Sequence, residues 1–253
     1  VKLIDNLGMT GFHQFPMLQN FDTLILAGGV GSRLRSVVND RPKCLATIHG
    51  RPFLSYLLDQ LAQAGVSDAI LSTGHMAEQV EASFGPKHGL IALRYSRETS
   101  PLGTGGGVKH ALGLCRREHL LVINGDSFFD FEWRDFSAWF DPAVMRLGMV
   151  LAWIEDCRRY GQVEMASDGQ VLHFQEKSET APAGWINAGV YLISKEALAD
   201  YSATGAFSLE RDFFPAQIGR GFYARGYRGK FIDIGTPESY AAAEKFFACR
   251  RGL

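Results

Sequence analysis

A run of four apolar residues, Leu24-Ile25-Leu26-Ala27, passes directly into Gly28 and Gly29, with Gly31 two positions on. An apolar run this short, bounded by turn residues, reads as a strand buried on both faces. Strands of that kind belong to mainly parallel sheets covered by helices. The glycines that follow make a turn without side chains, so that backbone N–H groups can come close to a ligand. Arg33 and, ten residues later, Lys43 add two positive charges. Glycines and cations after a buried strand point to an anion, most naturally a polyphosphate.

The rest of the chain keeps the same rhythm. Pro52 opens a helix with Leu54, Leu57, Leu58 and Leu61 on one face, ended by Gly65. A strand over Ala69–Ser72, a helix over Met76–Phe84 and a strand over Ile91–Tyr95 follow. After a second glycine-rich stretch the pattern predicts a helix over Val108–Leu114 and a strand over Leu120–Ile123. The second half is richer in strands: Leu147–Trp153, Gln162–Met165, Val171–Phe174 and Ile186–Ile193. Its last helix starts at Thr236-Pro237-Glu238, where Thr caps, Pro takes the first helical position and Glu suits the positive end of the dipole. The expected architecture is α/β, a Rossmann-like mixed, mainly parallel sheet with helices on both faces. Residues 1–20 lack a sustained period and read as an extension, with one domain over 21–253.

Composition narrows the partners. A net charge of −1 favours neither nucleic acid nor a membrane surface, and no apolar run approaches the length of a membrane span. The start of the chain lacks a secretory pattern, and the four cysteines are scattered without a C-x-x-C pair, which predicts free thiols in the cytoplasm. A homo-oligomer is compatible with all of this.

Two familiar phosphate loops fail on spelling. The only Gly-Lys pair, Gly229-Lys230, is followed by Phe231 and has Ala224 where a P-loop needs glycine. Gly29-Val30-Gly31-Ser32-Arg33-Leu34 lacks the last glycine of a dinucleotide fingerprint, which argues against a nicotinamide enzyme. The segment Leu26-Ala27-Gly28-Gly29-Val30-Gly31-Ser32-Arg33-Leu34, followed by Pro42-Lys43-Cys44-Leu45, instead resembles the signature of the sugar-1-phosphate nucleotidyltransferases. These enzymes join a nucleoside triphosphate to a sugar 1-phosphate, giving a nucleotide sugar and pyrophosphate.

The resemblance continues to about residue 247 and assigns roles along the way. Leu26, Ala27, Gly28, Gly29, Gly31 and Ser32 would line the nucleotide, Arg33 would hold the departing pyrophosphate, and Lys43 would bridge phosphate oxygens near the reacting phosphorus. Gly74, within Thr73-Gly74-His75, and Gly103 and Thr104, within the second glycine segment, would lie beside base and ribose. Asp126 of Asn124-Gly125-Asp126 stands just past a buried strand, where open α/β sheets collect ligands. With Asp233 it matches the family's pair of Mg²⁺-binding aspartates, and two carboxylates suit a hard cation that shares its shell with water and phosphate. Phe174-Gln175-Glu176-Lys177-Ser178 resembles the family's F-x-E-K-P, with Ser178 in place of proline. It implies that Glu176 binds sugar hydroxyls and Lys177 the sugar phosphate, with Tyr160-Gly161 and Asn187-Ala188-Gly189 at further sugar-facing positions.

The chemistry implied needs no general base. A phosphate monoester loses its second proton near pH 6, at about the value known for phosphorylated side chains, so the nucleophile is already ionised. What remains is to bring two polyanions together and stabilise a departing pyrophosphate, a task for cations and backbone donors. Within the family, the set PLGTGGG, NGDSFFD, RYG, FQEK, INAGVYL and FIDIGTPESY is most similar to the bacterial guanylyltransferases of D-glycero-α-D-manno-heptose 1-phosphate. GTP and that sugar phosphate are the substrates this implies. A uridylyltransferase of N-acetylmuramate 1-phosphate or another hexose 1-phosphate is the neighbouring reading. A non-catalytic nucleotide-sugar-binding regulatory subunit is a reading of another class; such relatives lose a signature cation or metal ligand, and this chain keeps all four.

Overall fold

The apolar run before the glycine turn becomes strand β1 (Asp22–Leu26), and its alternate side chains enter two different cores. The computed structural model describes residues 18–175 and 183–248. After β1 come β2 (Thr47–Ile48), β3 (Arg51–Pro52), α1 (Phe53–Gln63), β4 (Asp68–Thr73), α2 (Ala77–Phe84), β5 (Lys87–His88), β6 (Ile91–Arg97), α3 (Gly103–Ala111) and β7 (His119–Asn124). The second half adds β8 (Ser127–Phe129), α4 (Trp133–Trp139), β9 (Leu147–Ile154), β10 (Gln162–Met165), β11 (Val171–Gln175), β12 (Gly184–Ser194) and α5 (Lys195–Ala199). It closes with α6 (Phe214–Gln217), β13 (Phe222–Tyr227), β14 (Phe231–Asp233) and α7 (Pro237–Ala248).

Among the described residues one sheet runs β11-β10-β12-β7-β1-β4-β6-β5, with β9 beside β12 and β13 beside β9. Its centre, β6-β4-β1-β7, is parallel, because each strand is followed by a crossover that returns the chain to the same end. From β12 outward the pairings are antiparallel, except that β13 runs parallel to β9. The sheet is therefore mixed, as the richer strand content of the second half suggests.

Period two divides the sheet's side chains between its faces. Ile25, Leu71, Leu121 and Ile123 join one cluster with Phe53 and Leu57 of α1, Trp133 and Phe136 of α4, and Phe247 of α7. Leu24, Ile70, Leu120 and Val122 join the other with Val108 of α3, Leu198 of α5 and Phe214 of α6. In α1 the expected leucines are all buried, Pro52 precedes the first turn, and Gly65 beyond its end has φ +90°. Each fully buried leucine contributes about 1.5–3 kcal/mol, so this one stripe fixes how α1 lies on the sheet. Leu18, 3% exposed, packs with Phe21 into the first cluster, and residues 1–17 lie outside the described residues. No helix among the described residues is long and apolar enough to cross a membrane.

The third helix departs from expectation. It starts at Gly103 rather than Val108 and ends at Ala111, where the chain tightens into a 3-10 turn over Leu112–Leu114. The glycine stretch forms its opening turns, which costs about 1 kcal/mol per glycine relative to alanine. Close packing demands it. A Cβ on Gly105 would lie 2.1 Å from the Phe207 ring, and one on Gly103, at φ +72°, would lie 2.5 Å from the Phe207 carbonyl.

Candidate active site

The strand register sets the floor of the site. Leu26 of β1 pairs with Ser72 of β4 on one side and Asn124 of β7 on the other, so the three carboxyl ends are level. Past that line Ala27 N–H donates to Ser72 O at 2.8 Å and Gly125 N–H to Leu26 O at 2.9 Å. Gly28 and Gly74 then approach so closely that a Cβ on Gly28 would be 3.0 Å from Gly74 N. Gly31 takes φ +63° and turns the chain against the Lys43 side chain, and buried Leu34 anchors the turn while Ser32 and Arg33 stay exposed. Lys43 opens a 3-10 turn whose next two residues, Cys44 and Leu45, are buried. Burial pushes the Cys44 thiol up to about 12, so it is an inert anchor rather than a nucleophile.

Asp126 and Asp233, far apart in sequence, meet across a two-stranded ladder. In β8 and β14 Ser127 is in register with Asp233, and Ile234 N–H donates to Asp126 O at 2.9 Å. Lys43 Nζ donates to Asp126 Oδ2 at 2.5 Å. The position a Cβ would take on Gly235 lies 2.5 Å from Asp233 Oδ1, 3.5 Å from Lys43 Nζ and 3.7 Å from Arg33 Nη2. Arg33, Lys43, Asp126 and Asp233, four of the six charged residues singled out in the sequence, thus converge on one small volume. Burial would push the Asp126 carboxyl up, but the Lys43 charge and hydrogen bond, with Ser127 and Arg33 behind them, outweigh it and hold it below the ordinary carboxylate value. Its side chain is still 39% exposed, so water softens both effects.

Three further residues border this constellation: Tyr160, which the resemblance already puts at a sugar-facing position, and Arg159 and Glu98, to which the sequence assigns no role. Arg159 Nη2 reaches both Asp233 oxygens, at 3.2 and 3.3 Å, and Tyr160 OH donates to Oδ2. In the sequence Arg159 is visible only as the first residue of RYG, ahead of the sugar-facing Tyr160-Gly161. Burial and the neighbouring carboxylate both keep the Tyr160 phenol protonated far above its ordinary value. Glu98, past the end of β6, accepts from Ser72 Oγ at 3.2 Å and from Leu102 N–H at 3.1 Å, tying the end of β4 to the start of α3.

Other expected residues fall into two groups. Asn187 borders the site through β12: it donates to Tyr191 OH at 2.9 Å and accepts from Gly189 N–H at 2.8 Å, and a Cβ on Gly189 would be 3.0 Å from Asn124. Thr104 is turned elsewhere, donating to Glu210 Oε2 at 2.7 Å and accepting from Leu209 N–H at 2.8 Å. Gly103 lies beside it against Phe207. Glu176 and Lys177 lie outside the described residues. Thr73 Oγ1 and Asn124 Oδ1, at the carboxyl ends of β4 and β7, are buried without a partner among the described residues. Because buried polar atoms are nearly always paired, such orphans beside a cleft suit a site that a ligand completes.

The donor set fits a divalent cation of the hard kind. One carboxylate stands just before β8 and the other ends the neighbouring β14, already balanced by Lys43 and Arg159, and no third acidic or imidazole ligand joins them among the described residues. Two protein carboxylates, with the remaining positions left to water and phosphate, is how Mg²⁺ is usually held.

The sheet order and this charge centre define a nucleotide-handling α/β protein, and the comparisons agree: the chain belongs to the nucleotidyl transferase family, which it matches over residues 22–249. It is 37% identical over 225 residues to the D-glycero-alpha-D-manno-heptose 1-phosphate guanylyltransferase of Aneurinibacillus thermoaerophilus, covering 88% of this chain and 97% of that protein. It is 32% identical over 223 residues to the mannose-1-phosphate guanylyltransferase of Mycobacterium tuberculosis, covering 87% of this chain and 62% of that one. Among solved structures, HddC from Yersinia pseudotuberculosis, complexed with GMP-PN, matches with a TM-score of 0.78 at 34% identity, over 90% of this chain and 99% of that one.

Proposed function

We propose that this chain transfers GMP from GTP to D-glycero-α-D-manno-heptose 1-phosphate, forming GDP-heptose and pyrophosphate in the cytoplasm. The observation that carries the reading is the convergence of Arg33, Lys43, Asp126 and Asp233 beside the glycine turn. The near full-length similarity to a heptose 1-phosphate guanylyltransferase supports the choice of substrates. Guanylyl transfer is common to that relative and to the mannose-1-phosphate relative, so the base rests on more than the sugar does.

In this reading Leu26, Ala27 and the backbone from Gly28 to Ser32 cradle the triphosphate, with Gly74 on the nucleoside side; Gly103 and Thr104, expected there too, are engaged by Phe207, Glu210 and Leu209 and serve only to position the segment. Arg33 holds the departing pyrophosphate, and Lys43 lies between the α-phosphate and Asp126. Asp126 and Asp233 hold Mg²⁺, which when bound supplies positive charge against the polyphosphate. Gly161, Glu176, Lys177 and Asn187 orient the sugar phosphate. The ionised phosphate oxygen of the sugar attacks the α-phosphorus in line, without a covalent enzyme intermediate. The charge that develops on the leaving group is what the cluster stabilises.

Steady-state pyrophosphate release, measured with the four triphosphates against a panel of sugar 1-phosphates, tests the assignment. GTP with the heptose phosphate is expected to give the highest kcat/KM. Exclusive use of UTP would overturn the base, and preference for mannose 1-phosphate would overturn the sugar. No release from any pair would favour a binding subunit.

A further inference from the structure

Asp233 is already held by a cation that the reaction as described does not use. Arg159 Nη2 contacts both of its oxygens and Ser239 Oγ at 3.3 Å, while the guanidinium lies 5.4 Å from the centroid of the Tyr160 ring. Gly235 N–H adds a hydrogen bond to Oδ1 at 2.7 Å. The two members of the pair differ in setting: the Asp233 side chain is 13% exposed and that of Arg159 is 44% exposed. A carboxylate so enclosed is costly to leave without a counter-charge. An ion pair whose cation stands half in water is weak and easily exchanged.

We propose that Arg159 is an exchangeable counter-ion. It neutralises Asp233 until a divalent cation arrives with the nucleotide, then yields the carboxylate to that cation and turns to the phosphate of the sugar substrate. This rests on the function proposed above. Both oxygens of Asp233 are engaged by the guanidinium, so a second cation at metal–oxygen distances of about 2.0–2.1 Å competes with it at each of them. Two positive charges at one carboxylate also repel. The displaced side chain stays on the sugar side. It stands on the turn that leads through Gly161 into β10, and β10 pairs with β12 at Gln162 and Ile186, next to Asn187. Lys43 is in the opposite position: 13% exposed, pinned by its buried neighbours and bonded to Asp126 through Oδ2 alone, it leaves Oδ1 clear of its charge and remains with Asp126.

The test titrates Mn²⁺ by electron paramagnetic resonance into the full chain saturated with GTP carrying a methylene between the α- and β-phosphorus, with no sugar present. Arg159→Gln removes the competing charge, and Mn²⁺ is expected to bind about fivefold tighter, the factor that a weak surface ion pair is worth. In turnover the same variant is expected to raise KM for the sugar 1-phosphate more than KM for GTP, with Arg159→Lys recovering part of it. Circular dichroism and melting establish that both variants are folded. Unchanged or weaker Mn²⁺ binding in Arg159→Gln overturns the exchange, and so does tighter binding with an unmoved KM for the sugar phosphate. A wild-type chain that forms no Mn²⁺–nucleotide complex takes down the functional reading along with it.

Discussion

Two glycine-rich segments border the site, and they use glycine for opposite ends. A Cβ on Gly29 of the turn after β1 would meet nothing within 4 Å. In the segment that opens α3, a Cβ on Gly105 would run into Phe207, and one on Gly106 would lie 2.8 Å from the Gly205 carbonyl. The N–H groups of Gly105 and Gly106 are also spent on Phe207 O, at 3.0 and 3.3 Å. The first segment, packed at Gly28 and Gly31 but open at Gly29, leaves room for a ligand beside Arg33 and Lys43, whereas the second is a packing surface that docks a helix against the 205–207 loop. Glycine in a sequence signals close approach, but it does not say whether the visitor is a substrate or the chain itself.

The largest expected effect separates the segments by charge. Arg33→Ala and Asp126→Ala, both next to the open turn, are expected to lower kcat by about two decades or more, as removal of a charge-stabilising group does elsewhere. Thr104→Ala, at the packed segment, is expected to cost far less turnover because its hydroxyl is occupied by Glu210 and Leu209. Steady-state pyrophosphate release on folded variants reads both. Equal losses at the two places would erase the distinction.

Stability sharpens it from the other side. Gly105→Ala overpacks the contact with Phe207 and is expected to cost about 1–3 kcal/mol, read from the midpoint of urea unfolding. Shortening the ring with Phe207→Leu in the same chain should return part of that loss, since the clash is with a side chain. Gly29→Ala should change stability by less than about 0.5 kcal/mol and still raise KM for GTP, because its new methyl enters the space left for phosphate. A Gly29 variant with an ordinary KM would show that the turn does not face nucleotide.

The same contrast explains what the sequence disclosed. The centre of the sheet was legible because Leu24–Leu26, Ile70–Leu71 and Leu120–Ile123 are apolar on both faces, a local property. Arg33 and Lys43 were legible because they sit within one short segment with their glycines. The start of α3 was misplaced by five residues, since helix propensity argues against glycine and the partner that overrides it, Phe207, is a hundred residues away. Asp233 and Tyr160 are picked out only through family resemblance, and Arg159 is given no role by it. Their meeting depends on how β14 pairs with β8 and how the β9–β10 turn falls across it, neither of which leaves a periodic trace.

The smallest effect concerns the charge beside the open turn and is read in chelator, without nucleotide. Asp126 is held below the ordinary carboxylate value in the folded chain, while in the unfolded chain it titrates near that value, about 3.9. Above that pH the ionised carboxylate contributes its full stabilisation. As the pH falls from the unfolded value through the lower folded one, the unfolded chain binds the extra proton first and the stabilisation is lost. Lys43→Met removes both the charge and the hydrogen bond that overcome burial, so the carboxyl should rise and the acid loss should shrink. Urea midpoints between pH 3 and 6 should therefore fall less steeply for the variant than for the wild type. The difference is modest because the carboxylate keeps its exposed edge. Parallel acid limbs would mean that Lys43 and Asp126 do not form their pair in solution, and the turn would then lose the charge that sets it apart from the packed segment.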